Sequence, residues 1–585
     1  MHSELHQILL GCGFQYKSAT QIPDTTFLDT KSSRVGYYVK TYPTSTGDFV
    51  VALNIKDDPY TQLPAAYLIN TPPQYTGQLL PHVNFGSYLC YVDSMEADWD
   101  SNDLISTYRD VDEQIALTLN NSVTSEKTGR ADDIEMEGEF INYWQDEETL
   151  TLLSKTQGKF KFTSWIIEKT LSSGDIHREF VSIGNTDDKS IKDKWLNQRG
   201  VPPKDISQLS VQSHYVKVYP RRLAGVSWPP QGMGDLLSWL KITDHNCVSR
   251  LIDLLIQQTM KRHLLLLDIQ GQGQLAVYFE LNRFGRKTSK KASKAKQKYS
   301  STALVSYFSS KLTCVNFKRL GVLRADKDTL LSRNANRPSI GGLGNKRIAL
   351  IGCGTIGGYL SGLLLRSGAG CGSQYLHLYD DDDMKPDNFS RHSLNTLYFK
   401  TNKAFALALK LNESIHIAKN IRGFNMLFPI NEQKLQEYDI IIDATGRPPV
   451  SKRLAAITRN IPLNDRPVLV HAFNDGNGRA SKVFIDTGRS CYGCLNVEPS
   501  INENGVDKRF LSIDQELEKK ISCGSTYTPY DATVSMITAS MAQEAVLNTL
   551  EPSLPWNYRE RMFDGSRDRK PITIEKQLKC KICNE

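Results

Sequence analysis

The chain has 585 residues, 40% of them hydrophobic, with 71 basic and 64 acidic side chains and a net charge of +7. That length allows three or four domains with ample core, and so small a charge excess does not by itself mark a nucleic-acid binder. The uncharged run 348–365 has the length of a membrane span, but its glycines argue for a buried strand-turn-helix unit, and Met1-His2-Ser3-Glu4 lacks the basic and apolar regions of a secretion signal.

Taken in chain order, the first informative segment is Pro81-His82-Val83-Asn84-Phe85-Gly86-Ser87-Tyr88-Leu89-Cys90-Tyr91-Val92-Asp93, followed by Trp99. A His-x-Asn unit, a short glycine-containing loop, a cysteine in an apolar setting and a downstream Trp resemble the active-site segment of ubiquitin-conjugating enzymes. The resemblance implies that Cys90 holds an acyl thioester and that Asn84 steadies the oxyanion formed when an amine attacks. Val83 stands where that family usually has Pro, and Asn84 lies about two residues closer to the cysteine than is usual there. This front domain is assigned to residues 1–150.

Residues 151–320 carry fewer signals. Mixed strands over 159–167, 214–218 and 275–281 and a helix near 248–260 predict an α+β adapter without ligand or nucleophile spacing. Within it, 283–298 holds eight Lys or Arg and no acid, a low-complexity pattern that reads as an exposed loop.

Residues 321–585 are the most explicit. Arg347-Ile348-Ala349-Leu350-Ile351 runs into Gly352-Cys353-Gly354-Thr355-Ile356-Gly357, and a second apolar strand ends at Tyr379-Asp380-Asp381-Asp382. Glycines at 352, 354 and 357 let backbone N–H groups approach a phosphate at a helix start, and Asp380 can reach a ribose hydroxyl. The fingerprint alone does not separate a redox dinucleotide from ATP. The ordered set that follows, Asp382, Asn388, Arg391, Lys403 and then Asp443 at the end of an apolar strand, favours ATP adenylation, where cations hold the triphosphate and Mg²⁺ offsets its charge.

Of 11 cysteines, four form the pairs Cys491-x-x-Cys494 and Cys580-x-x-Cys583, the spacing of a tetrahedral Zn²⁺ site. The others are scattered as in a reduced, cytoplasmic protein. Cys353 and Cys371 read as packing residues. Cys523 follows two lysines in a polar loop just before a helical stretch over 532–550, a setting that exposes a thiol and lowers its pKa.

Residues 325–585 resemble the ubiquitin-activating family and its sulfur-carrier adenylating relatives, in which Asp380, Asn388, Arg391, Lys403 and Asp443 match the nucleotide-site pattern in order. The resemblance implies a homodimer in which Arg333 reaches the partner protomer's ATP, and a thioester nucleophile at Cys523 between the zinc pairs. The whole order, conjugating module, adapter and activating module, resembles the bacterial fusion proteins of CBASS anti-phage operons. It implies an α/β multidomain chain, with an α+β front domain, an α+β adapter and a Rossmann-like adenylating domain with a mixed sheet and a zinc site. It also implies a function: the C-terminal carboxylate of a cGAS-like cyclase (CD-NTase) is adenylated, passed to Cys523 and Cys90, and joined to a target lysine, priming the cyclase. No membrane or nucleic-acid partner is expected. Two other readings remain: a sulfur-carrier-type adenylating enzyme with a non-catalytic docking domain, and a redox Rossmann enzyme or nucleotide-binding scaffold, which Asn388, Arg391, Lys403 and Asp443 disfavour.

Overall fold

The computed structural model describes residues 3–22, 36–75, 80–84, 87–93, 96–128, 143–144, 146–158, 160–170, 174, 176–201, 206–218, 228–256, 260–282, 301–333, 342–503, 505–515, 517, 520–522, 525–528 and 530–584. The chain divides into two compact units, Met1–Asp187 with Asp205–Arg324, and Asp188–Lys204 with Ala325–Glu585. Cys523 and the basic run 283–298 lie outside the described residues.

The first unit begins with a five-stranded antiparallel sheet in the order Gln15–Lys17, Tyr37–Thr44, Gly47–Asn54, Ala65–Asn70, Tyr88–Leu89. The helix Leu104–Thr128 contributes Tyr108, Val111, Ile115 and Leu119 to the core it shares with Phe49, Val51, Leu53 and Leu89. Their spacing of three and four residues puts them on one helical stripe.

Further along, the mixed strands read from the sequence close into a seven-stranded barrel. Its order is Arg262–Ile269, Gly273–Leu281, Cys314–Arg324, Glu148–Leu152, Ile176–Gly184, Phe162–Thr170 and Ser207–Val218, and the last pairs in parallel with the first. The helices Met233–Thr243 and His245–Ile256 lay Leu236, Leu240, Leu251 and Leu255 against it.

In the second unit a seven-stranded sheet runs Ile421–Asn425, Leu376–Asp380, Ile348–Ile351, Ile440–Asp443, Val468–Asp475, Ala480–Asp486, Tyr558–Met562. The first five strands are parallel, Ala480–Asp486 runs against them, and Tyr558–Met562 pairs antiparallel with Ala480–Asp486. Ile348–Ile351 and Ile440–Asp443 are buried along their whole length, as expected for strands covered on both faces. Helices Thr355–Arg366 and Ala532–Asn548 cover the sheet through Leu360, Leu364, Ala542 and Val546.

The short helix Ser190–Gln198 belongs to this second unit: Gln198 Nε2 donates to Asn412 O at 3.2 Å, Lys194 Nζ donates to Ala418 O, and Trp195 meets His416 edge-on at 4.9 Å. No helix among the described residues is long and apolar enough to cross a membrane.

Candidate functional site

The strand order of the second unit reverses between Leu376–Asp380 and Ile440–Asp443, both of which flank Ile348–Ile351. A crevice at the carboxyl ends of parallel strands, at the point where their order reverses, is where this class of sheet binds ligands. A cavity of about 610 Å³ opens there, lined by Gly354 and Thr355, by Thr445 and Lys452, and by Asp475 and Lys482. Gly352 sits at φ +87°, and a Cβ on Gly357 would lie 2.0 Å from Gly352 O, so the turn is tight enough to exclude side chains at both positions. Gly354 precedes the helix Thr355–Arg366 and has open space where a Cβ would be.

The acids are distributed around this turn. Asp380 accepts from Cys353 N at 2.6 Å and Asp382 N at 2.9 Å, and burial raises its pKa. Asp382 pairs with Lys403 at 2.5 Å and Lys385 at 3.1 Å. Asn388 Oδ1 accepts from Lys385 N at 3.1 Å, and Arg391 donates to Thr528 O at 3.4 Å with its guanidinium 5.2 Å from the Tyr530 ring. Arg333 is exposed at the end of the short helix Lys327–Ser332.

Asp443 is placed behind the cavity wall, 2% exposed. Its Oδ1 accepts from Thr445 N at 3.1 Å and Thr445 Oγ1 at 2.7 Å, and its Oδ2 from Ser451 Oγ at 2.5 Å and His471 Nδ1 at 3.1 Å. Burial alone would raise this carboxyl, but the bonds from His471, Ser451 and Thr445 outweigh it and hold it below its usual range. A carboxylate offers about four acceptor positions. All are engaged, so Asp443 ties together the 443–451 loop and helix and the neighbouring strand, with no position left over for a metal in this arrangement.

The opposite wall was not singled out in the sequence. It comes from the hairpin turn Asp475-Gly476-Asn477-Gly478, from Tyr492 and Asn496, and from Asn502, Gln515, Thr528 and Tyr530. Lys482, 2% exposed, sits between Asp475 (2.5 Å) and Asp507 (2.7 Å). Asp507 also meets Arg509 at 2.9 Å and Arg569 at 3.1 Å, and both arginines reach Glu560. The Asp-Gly-Asn-Gly run between two apolar strands is a hairpin signal, which places the turn but not its role.

Cys491, Cys494, Cys580 and Cys583 come together with all four sulfurs within 4.8 Å of one another. The Cys491 sulfur lies 3.9 Å from that of Cys494, 3.5 Å from Cys580 and 3.3 Å from Cys583. Tetrahedral thiolates at about 2.3 Å from one ion stand about 3.8 Å apart, so the cluster suits a metal and is too open for disulfides. Cys353 and Cys371 are buried in the sheet core.

In the first unit, Cys90 is half-buried just past the strand Tyr88–Leu89, with its N–H donating to His82 O at 2.7 Å. Val83 bridges Leu89, and Asn84 N donates to Tyr88 O at 2.8 Å, so the His82–Asn84 segment folds back antiparallel along the cysteine strand. That short return accounts for the contracted Asn84 to Cys90 spacing. The Asn84 Oδ1 is buried without a hydrogen-bond partner among the described residues. Trp99 Nε1 donates to Tyr60 O at 3.2 Å. Cys523 itself lies outside the described residues; the flanking strands Lys520–Ser522 and Ser525–Tyr527 pair antiparallel.

Comparison with known proteins places these two regions in separate families. The Prokaryotic E2 family B model matches residues 12–153 and the ThiF family model residues 331–572. An ATP-dependent ubiquitin transferase-like protein Cap2 from Vibrio cholerae serotype O1 is 55% identical over 100% of both chains. The chain belongs to the Cap2 family of ATP-dependent ubiquitin transferase-like proteins. A second Cap2, from Escherichia coli, is 46% identical over 99% of both chains, and one from Pseudomonas aeruginosa is 26% identical over 90% of both. A solved structure of E. coli MccB with ATP aligns over 49% of this chain and 74% of its own, at 16% identity and a TM-score of 0.31, too low to draw on. As a Cap2 family member, the chain is an ATP-dependent ligase or transferase that unites an adenylating ThiF domain with an E2-like domain.

Proposed function

We propose that the chain adenylates the C-terminal carboxylate of a protein, carries the acyl group as a thioester on Cys523 and then Cys90, and joins it to a lysine amine of a target. The observation that supports this most is that one polypeptide joins a half-buried cysteine in an E2-matching segment to a polar cavity in a ThiF-matching unit. The resemblance to CBASS fusions makes a cGAS-like cyclase the expected acyl donor, and a homodimer with Arg333 reaching across the expected assembly.

The chemistry follows from the groups present. A carboxylate is a poor electrophile, and AMP makes it a good one. The bared backbone at Gly354 and the start of the helix Thr355–Arg366 receive phosphate, while Asp380 keeps its two backbone bonds and accepts from the ribose at a further lone pair. Arg391 and Lys403 exchange their present partners for the triphosphate. Mg²⁺ offsets phosphate charge in such reactions and is held by one or two carboxylates together with the phosphates. Asp475 stands on the wall, whereas Asp443 must first release one of its four donors. Thiolate attack then stores the activation as a thioester, which a positioned amine opens readily. Asn84, beside the Cys90 strand, steadies with its amide N–H the oxyanion that forms when the amine attacks the second thioester. Zn²⁺ on the four cysteines pins the C-terminus to the domain body.

The test uses the full chain with ATP and a co-expressed cyclase. Wild type forms thiol-sensitive adducts, Cys523→Ala adenylates without forming either thioester, and Cys90→Ala traps the adduct at Cys523 and yields no amide. Normal Cys90 loading in Cys523→Ala would overturn the relay, and normal product from Cys90→Ala would reduce the front domain to a docking module.

A further inference from the structure

The cations that the sequence pattern directs at phosphate do not line the cavity. Arg391 is occupied by Thr528 and Tyr530, Lys403 by Asp382, and Arg333 is exposed away from the wall. Among the described residues the wall carries two cations, Lys482 and Lys452. Lys482 is buried and held by Asp475 and Asp507. Lys452 is exposed and forms no hydrogen bond or ion pair among the described residues.

The only carboxylate on the wall, among the described residues, is Asp475, and Lys482 already balances it. Among the described residues Lys452 is therefore the uncompensated charge of the cavity. Its position is well defined at the backbone. It lies in the helix Pro448–Asn460, one residue after Ser451, whose hydroxyl donates to the buried Asp443 at 2.5 Å and anchors that turn of helix beside Thr445.

Resting on the adenylation reading, we propose that Lys452 binds the β- and γ-phosphates of ATP and then the pyrophosphate that leaves. In that step a carboxylate oxygen bonds to the α-phosphorus while the bond from that phosphorus to the bridging oxygen breaks, and the electron pair departs with pyrophosphate. No proton moves. Negative charge accumulates on the leaving group, where a nearby ammonium lowers the barrier. A compact charge on a flexible stem suits a ligand that shifts as the bond opens.

The experiment is calorimetric binding of Mg-ATP, pyrophosphate and AMP to the full chain as wild type, Lys452→Met and Lys452→Arg. Loss of one charge-assisted contact weakens ATP and pyrophosphate by about tenfold in Lys452→Met, while AMP stays within about twofold and Lys452→Arg recovers most of the loss. Unchanged ATP affinity in Lys452→Met, or equal weakening of ATP and AMP, would overturn the assignment. If wild type bound AMP and ATP equally, Lys452 would again be excluded. If it bound neither, the adenylation reading would fall and this assignment with it.

Discussion

The two regions that carry the chemistry are built on opposite plans. In the second unit the functional groups are closed in by protein: two glycines pressed into a turn, a carboxylate with four donors, four cysteines facing one another, and a buried lysine between two acids. In the first unit Cys90 is half-buried just past a two-residue strand, and the oxygen of Asn84 has no partner among the described residues. A nucleotide site draws on backbone dipoles that a tight turn already fixes, even where the side chains around it must change partners on binding. On the proposed relay Cys90 receives an acyl group from elsewhere, which demands access that a closed cysteine would refuse.

The comparison breaks most visibly at sulfur. Cys580→Ser should remove the metal and destabilise the second unit by several kcal/mol, part of the roughly 10 kcal/mol or more that a structural zinc supplies. Cys90→Ser should keep both the metal and the stability while losing the thioester. Metal analysis and hydrogen exchange read both outcomes, and a metal-free wild type with unchanged exchange would end the zinc assignment.

Next in size are the glycines. Gly357→Ala places a carbon 2.0 Å from Gly352 O, so it should cost roughly 1–3 kcal/mol and weaken ATP binding. Gly354→Ala meets nothing within 4 Å and should leave thermal stability nearly unchanged. Equal destabilisation by the two substitutions would show that the turn is looser than its geometry.

At any one mildly acidic pH the effect is smaller still in the barrel, which carries neither site. Burial, aided by the neighbouring His263, pushes His214 down to about 3. The folded state thus resists a proton that the unfolded chain takes up below about pH 6.5, so stability falls as pH drops from there toward 3, by about 1.4 kcal/mol per unit for this group. Exchange of the strands Ser207–Val218 and Arg262–Ile269 should accelerate accordingly, and His214→Phe should flatten the slope. A slope unaltered by the substitution would assign the acid sensitivity elsewhere.

Much of this was readable in the residue order. The apolar strand before Gly352, the acids after it, the paired cysteines and the His-x-Asn to Cys90 segment are local patterns in which spacing alone dictates geometry. Strand-to-glycine turns and Cys-x-x-Cys pairs work within a few residues, so their signal survives without the fold. Asp443 illustrates the limit: its place at a strand end was visible, but His471 and Ser451, the donors that hold it, come from elements the pattern did not connect to it.

What only the tertiary structure decided depends on long-range closure. The barrel forms because Ser207–Val218 pairs with Arg262–Ile269 and Cys314–Arg324 pairs with Glu148–Leu152, contacts that alternation of apolar residues cannot specify. Helix Ser190–Gln198 joins the second unit through Trp195 and Gln198, although its neighbours in sequence lie in the first. The far wall of the cavity gathers Asp475, Lys482, Gln515 and Tyr530 from separate stretches, and a charge's role there depends on which partner packing places beside it. Lys482 and Lys452 are alike as residues. Burial between two acids neutralises one, and exposure on a helix leaves the other without a partner among the described residues.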